Sequence, residues 1–257
     1  MTPADPRIAN ALLFRIAQQI PGVFFYAKVA LSVLDASRMC RQGIYSRYHK
    51  ISSSLGVLKA LQTIGVDLGV ENLAAYKTLT VPCVFVSNHM SVLETFLFPC
   101  LILPYRGFTF VLKRSLTEYP IFKHIIRSLN PIVVDRANPR EDFRKVLADG
   151  MRCLTKNISV LIFPQTTRNL HFNPKNFNSL GIKLARRANV PVIPVAVKTD
   201  AWGMGRLMRD LGKIDPAKPV RIAFGDPVYI TGNGKLAHQA ILDFISSKLT
   251  DWGVIGT

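Results

Sequence analysis

Short runs of apolar, often β-branched residues recur along the chain, and between them apolar residues return every three to four positions. Runs of the first kind read as buried strands, and stretches of the second kind as amphipathic helices. The runs fall at residues 81–86, 107–113, 131–136, 160–164, 192–197 and 221–224. Helical spacing links Phe143, Val146, Leu147, Met151 and Leu154, with Asn138-Pro139 as cap and first helical residue. It returns in Phe177, Leu180, Leu184, Ala185 and Ala188, and in Ala237, Ala240, Ile241, Phe244 and Ile245. Residues 119–129 predict a further helix and residues 52–77 a longer, interrupted one. Residues 96–104 are apolar on all sides, which predicts a buried helix or a membrane-touching surface. Strand and helix thus alternate, which predicts an α/β fold: a largely parallel central sheet flanked by helices.

The start of the chain has a different pattern. Residues 8–33 are apolar but interrupted by Arg15, Gln18, Gln19, Pro21 and Lys28. No run there reaches the ~20 residues of a spanning helix, and the pattern of a signal peptide is missing. Two short helices broken near Pro21-Gly22 fit it, an N-terminal amphipathic hairpin. That hairpin either packs on the domain or lies in one leaflet of a membrane, with Arg15, Lys28, Arg38, Arg41 and Arg47 at the headgroups. The expected organisation is membrane-associating helices over residues 1–50 and an α/β domain over residues 51–257. Residues 200–219, with Gly203, Gly205, Gly212 and Pro216, read as a long basic loop or hairpin.

Composition narrows the partners. The 257 residues are 49% hydrophobic and carry a net charge of +17. Such a charge calls for an anionic partner: a nucleic acid, an anionic bilayer or a phosphorylated substrate. Basic stripes interleaved with aromatics, as in nucleic-acid modules, are not evident. Cys40, Cys83, Cys100 and Cys153 have neither metal-ligand nor redox spacing, which suits a reducing compartment. His49, His124, His171 and His238 form no metal pattern either.

The chemistry concentrates after the first apolar run. Ser87-Asn88 ends it, His89 follows, and Glu94 lies five residues further on. On one straight helix His89 and Glu94 would face different directions. With His89 in a loop and Glu94 one turn inside the next helix, the carboxylate reaches back to the imidazole and fixes its tautomer. Such a pair is a general base and its orienting partner. Lys113 and Arg168 also fall just past apolar runs, where α/β sheets bind ligands. Ser91 lies in no nucleophile elbow, and Gly232-Asn-Gly-Lys235 lacks P-loop spacing.

Asn88-His89-x-Ser91-x-x-Glu94 resembles the Asn-His-x-x-x-x-Asp motif of the glycerolipid acyltransferases, the lysophosphatidic acid acyltransferase-like group. Three more blocks follow in order: Phe110-Val-Leu-Lys113 with Val133-Val-Asp135-Arg136, then Phe163-Pro164-Gln165-Thr166-Thr167-Arg168, then Val190-Pro191-Val-Ile-Pro194. The resemblance implies acyl transfer from a thioester, coenzyme A or acyl carrier protein, to the hydroxyl of a lysophospholipid, lysophosphatidate by family default. It implies His89 as general base, Glu94 as its orienting acid, and Lys113, Arg168 and Thr167 around the acceptor's phosphate. Asn88, Ser91, Gln165 and Thr166 would support them, and no metal or cofactor beyond the acyl donor is implied. The implied location is the cytoplasmic face of the inner membrane, peripheral or monotopic. Other lipid acceptors, an aminolipid or a glycolipid, and a non-catalytic basic lipid- or nucleic-acid-binding role are the alternatives. This chain departs from the family pattern at Glu94, in place of Asp, and at Gln165-Thr166, in place of Glu-Gly. The first change lengthens the side chain by one carbon–carbon bond of about 1.5 Å. The second removes a charge and a glycine's backbone freedom.

Overall fold

A computed structural model describes residues 14–15, 17–120, 122–165, 167–205 and 210–255. Thr166 and residues 1–13 of the apolar N-terminal stretch lie outside the described residues.

Helix α1 spans Pro21–Arg41 and starts on its proline, whose fixed φ and missing N–H suit a first helical turn. Its inward face buries Phe25, Val29, Val33 and Ala36. The chain reverses over residues 42–46, where Gly43 adopts φ +73°, and α2 (Arg47–Thr63) packs back along α1. The expected break near Pro21-Gly22 is present, a bend at Ile20 between helical residues 17–19 and α1, and the chain reverses between α1 and α2 at Gly43. Proline suits the first turn of the helix that follows the break. The expected division between residues 50 and 51 falls inside α2, and Phe25 and Val29 share one core with Val84 and Phe85.

After α2 come β1 (Leu68–Glu71), α3 (Ala74–Lys77), β2 (Val84–Ser87), α4 (Leu93–Ile102) and β3 (Gly107–Lys113). A 3-10 turn at Arg114–Glu118 leads to α5 (Phe122–Ser128), β4 (Ile132–Val134), α6 (Pro139–Thr155) and β5 (Ile158–Ile162). The chain closes with α7 (Leu180–Ala188), β6 (Val192–Lys198), β7 (Val220–Phe224) and α8 (Lys235–Asp251). Strand β1 was not expected within residues 52–77. Gly65, at φ +91°, stops α2, and the four residues of β1 gain their hydrogen bonds from β7, more than a hundred positions away.

The seven strands are ordered β1-β7-β6-β2-β5-β3-β4. From β6 to β4 all neighbours are parallel, while β7 runs antiparallel to β6 and carries β1 parallel to itself. All four residues of β2, at the centre, are buried, as an apolar run covered on both faces requires. Helix α7 lies so close to β2 that a Cβ on Gly181 would sit 2.5 Å from Val86 Cγ2. Helix α4 is tied to α2 by Ser54, whose hydroxyl accepts from Cys100 N at 2.9 Å and donates to Phe96 O. That hydroxyl is inserted into the helical ladder next to Pro99, which has no N–H of its own to give.

Residues 201–203 pair with residues 212–215. Gly203 N donates to Lys213 O at 2.9 Å, Asp215 N to Ala201 O at 2.8 Å, and Trp202 pairs with Ile214. Trp202 is buried against α1 and α4, edge-on to Phe25 at 4.9 Å and stacked on Phe96 at 5.6 Å. Its indole N–H donates to the Tyr26 hydroxyl at 2.9 Å, and that hydroxyl donates to Gly212 O.

Candidate active site

Because β2, β5 and β3 are parallel, their carboxyl ends open at the same edge of the sheet, with β5 between the other two. His89 follows the end of β2, the segment with Gln165, Thr167 and Arg168 follows β5, and Lys113 is the last residue of β3.

His89 lies in the loop before α4, and Glu94 is the second residue of that helix. The carboxylate reaches back as the spacing predicts: His89 Nδ1 lies 2.8 Å from Glu94 Oε1. Glu94 is 0% exposed, and the His89 side chain is 18% exposed. Such burial would be costly for a charge without partners. Glu94 has many. Oε1 also accepts from Met90 N at 2.8 Å and Ser91 N at 3.1 Å, while Oε2 accepts from Thr199 Oγ1 at 2.6 Å and lies 3.1 Å from Ser91 Oγ. Burial alone would push the carboxyl's pKa up. The hydrogen bond and charge of His89, the Thr199 hydroxyl and the backbone N–H donors outweigh it and hold the group below its ordinary value. An anionic carboxylate only accepts hydrogen bonds, so Nδ1 carries the proton and donates it to Glu94. The lone pair is then on Nε2, for which the described residues provide no partner.

The rest of the loop holds that ring in place. His89 N donates to Gln165 Oε1 at 2.7 Å, and Asn169 N donates to His89 O at 2.9 Å. The imidazole stacks on Phe163, ring centroids 4.0 Å apart. Asn88, buried, pairs with β6 as a peptide unit would: Nδ2 donates to Val197 O and Val197 N donates to Oδ1, both at 2.8 Å. Ser91 Oγ accepts from Leu93 N at 3.1 Å and lies 3.0 Å from Thr199 Oγ1. Asn88, His89, Ser91, Glu94 and Gln165 are thus brought together. Gln165 works here as a neutral acceptor for a backbone N–H, a task that does not need the family's glutamate charge.

The cationic residues are arranged differently. Lys113 and Thr167 are exposed at the strand ends, and neither touches the His89–Glu94 pair. Arg168 is mostly buried and forms an ion pair through Nη1 with Asp210, which lies in the chain between β6 and β7.

Sequence reasoning missed Thr199, Tyr26, Trp202 and Asp210, and it named Phe163 only as part of a family block, without its place against the imidazole. Thr199 lies at the carboxyl end of an apolar run, as Lys113 does, and that position was a usable signal. What no local pattern states is that β6 neighbours β2.

A family model for the acyltransferases matches residues 68–198, just over half of the chain. The 1-acyl-sn-glycerol-3-phosphate acyltransferase of Pseudomonas aeruginosa is 31% identical over 156 residues, covering 61% of this chain and 58% of that protein. A chloroplastic 1-acyl-sn-glycerol-3-phosphate acyltransferase of Brassica napus is 29% identical, over 67% of this chain and 47% of that protein. The chain thus matches about half the length of these curated relatives. The crystal structure of the 1-acyl-sn-glycerophosphate acyltransferase PlsC from Thermotoga maritima superposes with a TM-score of 0.67. It covers 95% of this chain and 99% of that one at 17% identity, a likeness of fold.

Proposed function

The chain belongs to the acyltransferase family, and we propose that it transfers a fatty acyl group from a thioester donor to the free hydroxyl of lysophosphatidate at a membrane surface. The observation that carries this reading is the 2.8 Å contact between His89 Nδ1 and a fully buried, anionic Glu94. Nε2 of His89 removes the proton from the acceptor hydroxyl as its oxygen attacks the thioester carbonyl. The positive charge formed on the imidazole is stabilised by Glu94. The tetrahedral intermediate collapses, the C–S bond breaks, and the thiolate takes up the proton from His89. Arg168, Lys113 and Thr167 hold the acceptor's phosphate, for which a planar guanidinium is suited. In the acceptor complex, phosphate replaces Asp210 on Arg168.

The membrane contact falls on the outward face of α1. Ile20, Val23, Ala27, Leu31 and Leu34 follow one another at helical spacing and are exposed, Val23 by 68% and Leu31 by 63%. Lys28, Arg38 and Arg41 lie on the same helix. No helix among the described residues is long and apolar enough to cross a membrane. Docking in one leaflet, on the cytoplasmic face of the inner membrane, satisfies both the apolar stripe and the charge.

The test follows free coenzyme A released from acyl-CoA with and without lysophosphatidate, and repeats it with acyl carrier protein as donor and with aminolipid and glycolipid acceptors. Acceptor-dependent release is expected, reduced about 10²–10⁴-fold by His89→Ala. Unchanged release in that variant would sink the general-base mechanism, and release with only a non-phosphorylated acceptor would sink the acceptor assignment.

A further inference from the structure

At the amino ends of the strands, opposite His89, lies a cavity of about 300 Å³. Thr80 before β2, Gly107 at the start of β3 and Asn157 before β5 form its floor, and Arg47, Arg106 and Lys156 supply its charge. No carboxylate lines it. Some described cations elsewhere pair with acids, among them Arg114 with Asp135, Arg168 with Asp210, Arg221 with Asp67 and Lys248 with Glu71. None of the three cations here takes part in an ion pair among the described residues.

The two arginines are held by carbonyl oxygens. Arg47 donates through Nε and Nη2 to Leu103 O at the end of α4. Arg106 donates through Nη1 to Val81 O at 2.9 Å and through Nη2 to Leu79 O at 3.0 Å and Tyr76 O. Carbonyl partners fix a guanidinium in place without cancelling its charge. Arg106 Nε is buried and without a partner, and a buried donor left unpaired costs about 1–3 kcal/mol. Fixed cations, a hydroxyl and an amide around a small cavity suit a tetrahedral oxyanion. Exposed Tyr105 lines the cavity, exposed Val81 follows Thr80, and exposed Ile44 in the α1–α2 turn and Tyr48 in the first turn of α2 flank Arg47, aromatic and aliphatic groups suited to a lipid–water boundary.

We propose that this cavity is a second anion site, distinct from the His89 end of the sheet, that takes a phosphate group, from an anionic phospholipid headgroup or from free phosphate. The site does not rest on the acyl-transfer reading. A headgroup bound there, beside the start of α2, would fix the rotation of the domain on the bilayer.

Charge reversal tests it on the full chain. Arg106 also clasps the segment before β2, so the variant is Lys156→Glu, compared with Lys156→Arg and with Lys175→Glu, an equal charge change at an exposed turn elsewhere. Binding of inorganic phosphate is read by calorimetry, and binding to vesicles of phosphatidylcholine with phosphatidylglycerol by sedimentation. Thermal midpoints check that each variant folds. Lys156→Glu is expected to weaken binding roughly tenfold relative to Lys175→Glu, with Lys156→Arg close to wild type. Weakening with vesicles alone assigns the site to lipid, and weakening with inorganic phosphate to free phosphate. If neither probe binds the wild type, or Lys156→Glu is no weaker than Lys175→Glu in both, the proposal is overturned.

Discussion

The exchange of aspartate for glutamate at position 94 moves the carboxylate one carbon further from its backbone, and the structure accounts for the extra reach. Oε1 serves the imidazole and two backbone N–H groups, while Oε2 is drawn to Thr199 on a neighbouring strand. Thr199→Val keeps the shape and removes the hydroxyl, leaving part of a buried carboxylate unsatisfied, which costs about 1–3 kcal/mol of stability. The pH dependence has a sign. A carboxyl whose folded pKa is depressed contributes stability that is present above the unfolded value, about 4.3, and is lost as pH falls through the folded value. With the Thr199 hydroxyl gone that folded value rises. Melting temperatures of Thr199→Val are therefore expected to fall from a higher pH than wild type as the solution is acidified, and Thr199→Ser to follow wild type. Asp210→Asn acts at the same scale. It removes the competing charge on Arg168, so KM for a phosphorylated acceptor should drop severalfold with kcat little changed. An unchanged KM would separate Arg168 from phosphate binding.

Among elements, what could be read early was what is local. The apolar runs at residues 81–86, 107–113 and 192–197 became β2, β3 and β6, and the Asn138 side chain caps α6 as its sequence suggests. Elements held by distant partners were not readable. Four-residue β1 has no pattern of its own beyond Leu68 and Val70 and depends on β7. The site divides the same way. His89 and Glu94 meet through five residues of chain, whereas Thr199 and Asp210 arrive from the chain beyond β6, a strand whose adjacency to β2 no spacing encodes. Close helix–sheet approach is a further non-local feature. Gly181→Ala would press a methyl group into Val86, one strand position before Ser87 and three residues before His89. Its expected cost is about 1–3 kcal/mol, seen as a lower denaturation midpoint, together with a loss of turnover that a mutation on the outer face of α7 would not cause.

For the whole molecule, α1 changes the expected plan. The expected organisation sets residues 1–50 apart as membrane-associating helices, whereas Phe25, Val29 and Val33 belong to the same core as the central strands. Removing the segment would open that core, so loss of membrane binding after truncation would not by itself identify an anchor. Surface changes separate the two roles. Val23→Glu, Leu31→Glu and Leu34→Glu combined place three charges on the outward stripe and leave the buried face intact. The triple variant is expected to move from the vesicle pellet to the supernatant with a thermal midpoint near that of wild type. Continued sedimentation with vesicles would show that another surface docks. Helix α1 is also joined to the segment after β6 through Tyr26, which bonds both Trp202 and Gly212, two residues past Asp210.

The side chain of Asn88 imitates one rung of the sheet, donating a hydrogen bond to Val197 O and accepting one from Val197 N. Its chemistry has a bearing on how the protein ages. Deamidation would replace the donor by an anionic oxygen facing a carbonyl, and the loop would lose its tie to β6. The reaction requires the next residue's backbone nitrogen, that of His89, to attack the amide carbon. That nitrogen is already engaged with Gln165 Oε1 at 2.7 Å, and the amide is clamped on both sides. The bonds that aim the imidazole therefore also protect the residue beside it from slow chemical damage.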